Sequence, residues 1–323
     1  MTEFDSDDPE ALYRLASGLI DIEALNMEED EWEGDAYRFL LKAAMLGHSD
    51  AQYHLGKFYY YEIGQRFTRD IIGTAVEWLK KSADQGNVRA MMMLSSIYRD
   101  GRYVQRSDVT ARDYLLKAVE SDPSDPDIQY DIGHEYHNGI IIKRNLAKAA
   151  SWLRKAAEQG HADAQYELGD LLLQNTESMQ GQRKAAKWLK RAAEQGHEMA
   201  QATLGLLYGY GIGVEQSHDE AAEWFRRAAE QGDPFGMIYL GAMYDQGILY
   251  DPNPYGKASE WYERAAEQGE GCILTMLAEM YDFGKIDVVD SYEKAIYWYT
   301  RAAALDDGKA IATLSHVKVL KDR

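Results

Sequence analysis

The sequence predicts an all-α solenoid of about eight helix-turn-helix repeats plus a C-terminal capping helix, and three observations predict it. One phrase returns almost unchanged: Trp152-Leu-Arg-Lys-Ala-Ala-Glu-Gln-Gly160, Trp188-Leu-Lys-Arg-Ala-Ala-Glu-Gln-Gly196, Trp224-Phe-Arg-Arg-Ala-Ala-Glu-Gln-Gly232 and Trp261-Tyr-Glu-Arg-Ala-Ala-Glu-Gln-Gly269. Its closing glycines stand 36, 36 and 37 residues apart, a period that belongs to stacked supersecondary units. Between the phrases, small and apolar residues recur at helical spacing, and no strand signal rises above that background.

The elements follow in order. Residues 1–8 read as an acidic, disordered N-terminus, and residues 9–321 as a single solenoid. Its units start near residues 11, 51, 90, 128, 164, 200, 236 and 273, with a half-unit from 310. Weaker copies of the phrase carry Trp78 before Gly86, Tyr114 before Asp122 and Trp298 before Asp306. In the first helix of each unit a small residue (Gly56, Gly133, Gly169, Gly205, Gly241) serves as the origin of a helical wheel. The aliphatic residue before it falls at about −100°, and the tyrosine three later (Tyr59, Tyr136, Tyr208, Tyr244) at about −60°, which makes one buried stripe. A helical glycine costs ~1 kcal/mol against alanine, so its recurrence predicts close approach of a second helix.

That second helix places Ala149, Trp152 and Ala156, or Ala185, Trp188 and Ala192, on one face. Ring and small residue alternate there like knob and hole, so the tryptophan series is expected in the core. The glycine after Glu-Gln sits where a C-terminal residue with positive φ is expected. The loop inside a unit is glycine-rich, as in Tyr208-Gly209-Tyr210-Gly211-Ile212-Gly213-Val214. The last helix, about Lys309 to Lys321, carries Lys318 and Lys321 at the end where the helix dipole favours cations.

Composition narrows the function classes. Of 323 residues, 46% are hydrophobic and 28% charged, which suits a core-forming chain. The longest aliphatic runs, such as Leu171-Leu172-Leu173, are far short of a membrane span. Met1-Thr2-Glu3-Phe4-Asp5 is acidic where a secretory signal is basic and then apolar. Cys272 is the single cysteine, so no internal disulfide or multi-cysteine zinc site can form. A cytoplasmic location is expected. The net charge is −19, and residues 1–35 carry thirteen carboxylates against Arg14 alone. Nucleic acid and anionic membrane are therefore poor partners, whereas a basic protein would suit the N-terminal end. The plainer reading makes the acidic stretch a solubilising end cap.

The pattern Ala-x-x-x-Leu-Gly-x-x-Tyr-x-x-Gly-x-Gly-Val, followed by Ala-x-x-Trp, three residues and Ala-Ala-x-x-Gly, resembles the Sel-one-like repeat (SLR) family, a relative of the tetratricopeptide repeat. The resemblance covers about residues 8–321 and is tightest from 125 to 304. Ser95 replaces the glycine in an earlier unit, Pro123 and Pro126 interrupt a turn, and the unit from Ala164 lacks the Gly-x-Gly-Val loop. The resemblance implies a right-handed α/α superhelix whose first helices line a concave groove that holds extended peptides.

Wheel positions opposite the buried stripe give the groove candidates. They are Tyr53, Lys57, Tyr60 and Tyr61; Met92, Ser96, Arg99 and Asp100; Tyr130, His134, His137 and Asn138; and Tyr166, Asp170, Leu173 and Gln174. Tyrosine, histidine, arginine and asparagine bind with both an apolar body and a polar tip. Later units supply Ala202, Leu206, Gly209 and Tyr210, then Ile238, Ala242, Asp245 and Gln246, a plainer set. The alternative is that the tyrosines merely pad helix surfaces.

Catalytic signals are thin. His134-Glu135-Tyr136-His137 is one residue short of His-Glu-x-x-His, whose histidines share a zinc ion at i,i+4. Gly209-x-Gly211-x-Gly213 follows a helix, whereas nucleotide-binding glycine loops follow a strand. The run Glu28-Glu29-Asp30-Glu31 lacks calcium-loop spacing, and Cys272 reads as a small filler. No enzyme activity, cofactor or metal is expected. The functional expectation is a monomeric adaptor or scaffold that binds a protein or peptide in its groove. A second reading, taken from the settings in which bacterial family members occur, is a cytoplasmic immunity protein that neutralises a basic toxin. Hydrolase activity, attributed to cysteine-rich members, has no support in a chain without their cysteine pairs.

Overall fold

A computed structural model describes residues 7–19, 35–63, 69–268, 271–282 and 290–321. The helices come in pairs. The first four pairs are α1 (Pro9–Leu19) with α2 (Asp35–Met45), α3 (Ser49–Phe58) with α4 (Arg69–Asp84), α5 (Val88–Asp100) with α6 (Asp108–Ser121), and α7 (Pro126–Asn138) with α8 (Leu146–Glu158). A π-helical turn, Tyr59–Ile63, extends α3. The next four are α9 (Ala162–Gln174) with α10 (Met179–Glu194), α11 (Glu198–Tyr210) with α12 (His218–Glu230), α13 (Pro234–Asp245) with α14 (Pro254–Ala266), and α15 (Gly271–Asp282) with α16 (Ser291–Ala304). A last helix, α17 (Gly308–Lys321), follows them. The chain is an all-α repeat solenoid, with no strand among the described residues. Its helices gather into two compact units, residues 1–156 and 157–323. Six residues of the acidic end, and the run from Glu28 to Glu31, lie outside the described residues.

Both ends of the helices follow from local chemistry. First helices begin on His48, Asn87, Asp125, His161, His197 and Asp233, whose side chains accept a backbone N–H three residues on. The three histidines accept through Nδ1 at 3.2 Å, which leaves the ring proton on Nε2. Nε2 of His48 then reaches Glu10 at 2.9 Å, and Nε2 of His197 reaches Asp163 at 3.3 Å, each a carboxylate of the preceding repeat. The predicted positive φ at the far end is present in Gly47, Gly86, Gly160, Gly196 and Gly232 (99, 90, 99, 92 and 98°), with Asp306 taking the role last at 59°.

The core departs from the wheel in two respects: Tyr59, Tyr136, Tyr208 and Tyr244, expected in the buried stripe, are only half-buried, and the tryptophans are not the knobs that meet the glycines. A Cβ added at Gly56, Gly169, Gly205 or Gly241 would lie 2.6 Å from Leu79, Leu189, Phe225 or Tyr262, and one at Gly133 would lie 2.9 Å from Leu153. The knob in each pair is therefore the residue after the tryptophan. Leu79, Leu153, Leu189, Phe225, Tyr262 and Tyr299 are all buried, whereas Trp78, Trp152, Trp188 and Trp261 are half-buried. Only Trp224 and Trp298 of the series meet the expectation of burial. One further residue turns the side chain by about 100°, onto the glycine of the first helix. The half-buried rings lie at the edge of the core, and each tryptophan of the series, buried or not, lies under a cation three residues on. Lys81, Lys155, Arg191, Arg227, Arg264 and Arg301 sit 4.3, 3.8, 4.7, 4.7, 4.5 and 5.2 Å from the centroids of Trp78, Trp152, Trp188, Trp224, Trp261 and Trp298.

The glutamine of the recurring Glu-Gln-Gly has a partner that the sequence did not suggest. In the second unit, Gln165 and Gln201 donate to the carbonyls of Ala157 and Ala193. Gln195 and Gln231 then donate to the side-chain oxygens of Gln165 and Gln201 at 2.8 and 2.7 Å. In the first unit Gln52 and Gln85 repeat the arrangement onto Ala44. This ladder satisfies carbonyls at the ends of second helices and fixes how the next repeat stacks.

Candidate functional site

A cavity of the first unit has a volume of about 530 Å³. It is built from α3 with its π-helical turn, from α5 and the loop after it, and from the start of α7. Seven predicted residues line it together: Tyr53, Lys57, Tyr60, Tyr61, Met92, Ser96 and Asp100. Tyr60 and Tyr61 stand on the π-helical turn with ring centroids 5.2 Å apart, edge to face. Such turns interrupt the α-helical ladder and are frequent at functional sites. Burial raises the Tyr60 phenol above its ordinary range, and the neighbouring Tyr61 adds to that. Met93 and Ile97 also line the cavity, and Arg89 lies 4.9 Å over the Tyr53 ring while bonding Asp50 at 3.2 Å.

Four carboxylates also line this cavity: Asp100, Asp125, Asp127 and Asp131. Asp100 accepts from Arg99 Nε at 3.1 Å, and Asp125 accepts the N–H groups of Asp127 and Ile128 as the cap of α7. Burial pushes the Asp131 carboxyl up to about 6, against the pull of Arg99 and His134. Sequence reasoning missed Asp131 and the two aspartates at the start of α7. Asp131 sits at about 160° on the wheel, one step beyond the arc taken as the groove, so a slightly wider arc would have included it.

The remaining predicted residues lie elsewhere. Arg99 donates to Glu135 Oε1 at 3.0 Å, and Glu135, only 1% exposed, also accepts the N–H of Ile141. This ion pair joins α5 to α7. It commits the middle of His134-Glu135-Tyr136-His137 to structure, and no group of three ligand-type side chains is placed to hold a metal among the described residues. Tyr130 and His134 pack ring against ring at 5.6 Å, and His134 bonds Asn138 at 2.8 Å, outside the cavity wall together with His137. Tyr166 and Asp170 belong to the second unit. Tyr166 stacks on His197 at 4.6 Å and borders a 240 Å³ pocket with Met199, Phe235, Tyr239 and Met276.

Two further expectations are corrected in the second unit. Ala202, Ile238, Ala242 and Asp245 were assigned to the open groove, yet all four are buried. Ile238 and Ala242 join the core that α14, α15 and α16 build around them. Cys272, read as a filler, is exposed on α15. The Gly209-x-Gly211-x-Gly213 loop is conformational: Gly211 and Gly213 have φ of 69 and 70°, and a Cβ at Gly213 would meet Gln182 O at 2.4 Å.

Stacked helix pairs of this kind define the class of α-solenoid repeat proteins. The Sel1 repeat model matches residues 9–48, 49–87, 88–123, 126–161, 162–197, 199–233, 234–270 and 274–307, and the chain belongs to the Sel1 repeat family. Proteins of this family generally mediate protein–protein interaction and are typically non-catalytic. The chain is similar to a protective antigen with an SLR fold, present in uropathogenic Escherichia coli strains. The two are 29% identical with a TM-score of 0.66, over 96% of this chain and 67% of the other. A Sel1 repeat protein from Oxalobacter formigenes is 28% identical with a TM-score of 0.57, over 91% and 82% of the two chains. Chitin synthase regulatory factor 4 of Schizosaccharomyces pombe is 26% identical over 182 residues, which are 53% of this chain and 27% of that protein. The chain thus spans about a quarter of that curated relative. No helix among the described residues is long and apolar enough to cross a membrane.

Proposed function

We propose that this protein is a non-catalytic adaptor or scaffold whose first-unit cavity holds an extended segment of a partner protein. The observation that supports the reading best is the convergence of Tyr53, Lys57, Tyr60, Tyr61 and Met92 on one cavity of about 530 Å³. That volume lies within the usual range of ligand pockets, and the lining mixes large apolar bodies with a few polar atoms. Arg99, Tyr130, His134, His137 and Asn138 then act at the rim or in the framework, and Tyr166 and Asp170 belong to a separate surface. The protein acts as a monomer in the cytoplasm, where a chain with one cysteine has no disulfide to lose.

The test compares capture of partners from native lysate by three folded forms of the full chain. Tyr60→Ala with Met92→Ala is expected to weaken capture at least ~10-fold, because buried aromatic anchors dominate such interfaces. His134→Ala with Asn138→Ala is expected to change it less than ~2-fold, in keeping with a rim position. Equal capture by the parent and the cavity variant sinks the reading. The number of polypeptides lost with the cavity variant separates an adaptor, which gathers several, from a dedicated inhibitor, which holds one.

A further inference from the structure

The cavity of the first unit contains a half-buried carboxylate that is open to solvent and lacks a protein donor among the described residues. Asp131 stands on α7 in the cavity wall, and no hydrogen bond or salt bridge reaches it among the described residues. The three other lining aspartates differ. Asp100 is held by Arg99, Asp125 caps α7, and Asp127 has contacts of its own. The lining cations Arg89 and Arg102 are also engaged, Arg89 by Asp50 and the Tyr53 ring, Arg102 by the Tyr103 ring at 5.2 Å. Facing Asp131 are Arg99 from α5 and Asp127, His134 and Glu135 from α7, while Lys57 lines the same cavity from α3. Arg99 is committed to Glu135 and Asp100.

A half-buried carboxylate that has only water for a donor gains a stronger, charge-assisted bond when a cationic donor arrives. The cavity is also lined by the apolar residues Met92, Met93, Ile97 and Ile128. The Tyr60 ring lines the same cavity, and an aromatic face attracts a cation. We infer that the cavity recognises an extended polypeptide segment carrying one lysine or arginine, whose cationic head bonds Asp131 while neighbouring apolar side chains rest on Met92, Met93 and Tyr60. The inference rests on the groove reading above and adds the chemistry of the partner.

Burial raises the Asp131 carboxyl to about 6, so the ionised form that attracts the segment is populated above that pH and lost below it. The sign for the free protein is opposite. A carboxyl raised in the folded state stabilises folding when protonated, and that contribution disappears as the pH climbs from about 4 through about 6. Asp131→Asn is therefore expected to unfold no more easily than the parent at neutral pH, while losing its ligand.

The experiment uses a panel of acetylated, amidated nonapeptides with a central lysine between apolar and aromatic residues, and the same panel with norleucine at the centre. Binding to the full chain is followed by fluorescence anisotropy at pH 7.5 and 5.0. At pH 7.5 the best lysine peptide is expected to bind at least ~10-fold more tightly than its norleucine match, as a charge-assisted bond would give. That preference disappears in Asp131→Asn and shrinks at pH 5.0. Equal binding of lysine and norleucine peptides, both weakened by Tyr60→Ala, overturns the inference and leaves the groove reading standing. Failure of every peptide to bind, or binding indifferent to Tyr60→Ala, overturns both.

Discussion

Lys294→Met is expected to destabilise the protein by about 3 kcal/mol, because it strands a buried carboxylate. The Asp245 side chain is 1% exposed and accepts from Lys294 Nζ at 3.1 and 3.2 Å. The Tyr281 hydroxyl also donates to it. Lys294 itself lies over the rings of Tyr255 and Tyr281, 5.4 and 5.3 Å from their centroids, and so closes the site with its stem as well as its charge. With the lysine gone, the carboxylate keeps one phenol donor and no counter-charge. Combining Asp245→Asn with Lys294→Met removes both charges and leaves the phenol an acceptor, so the double variant should come within about 1 kcal/mol of the parent. Urea unfolding followed by circular dichroism gives the four values of the cycle. A single-variant loss below about 0.5 kcal/mol would class the pair with exposed salt bridges and refute the argument.

Two glycine substitutions are expected to have opposite signs. Gly236 lies in the first turn of α13, and an added Cβ would meet Ala228 Cβ at 2.7 Å and both Ala229 N and Phe225 O at 2.9 Å. Two of these are backbone atoms of α12, which cannot rotate aside. Gly236→Ala must push the two helices apart and is expected to cost about 2–3 kcal/mol, even after the gain in helix propensity. Gly73, on α4, has nothing within 4 Å of such a Cβ. Gly73→Ala should therefore stabilise by up to about 1 kcal/mol. The same chemical change thus reports packing at one site and propensity at the other. Thermal unfolding midpoints that move in the same direction for both would show that the close approach of α12 and α13 is not energetically tight.

The parts legible in the sequence were those fixed by local geometry. A glycine must follow Glu-Gln because the chain turns there with positive φ, and a small residue must face the knob of the second helix; both periodicities are visible without knowing any neighbour. The knob itself was misread. Trp152 and Leu153 are adjacent, and a wheel centred on alanines cannot say which of two large residues meets Gly133 when the second helix is packed on more than one side. A tryptophan tolerates the edge because its ring can be half covered and capped by a cation such as Lys155; a leucine gains only from full burial.

The candidate site was legible in the same measure. Tyr53, Lys57, Tyr60, Tyr61 and Met92 share a cavity because successive first helices lie side by side, which the repeat implies. Asp125 and Asp127 reach that cavity from the start of the following repeat, ahead of the positions the wheel covers, and Asp131 falls one step outside the arc drawn for its helix. Ile238 and Ala242 were assigned to the open side for the complementary reason. Their wheel angles match those of Tyr53 and Lys57, but in the second unit later helices cover them.

The central claim, that a partner segment lies in the first-unit cavity, is tested most directly by site-specific photocrosslinking. A benzoylphenylalanine replaces Tyr61 at the cavity wall in one sample, and Tyr250 of the second unit, 92% exposed, in another. Irradiation in native lysate is predicted to give discrete adducts from position 61, abolished by Tyr60→Ala with Met92→Ala, and none in common with position 250. Adducts from position 250 with none from position 61 would contradict the claim and move the binding surface out of the first unit.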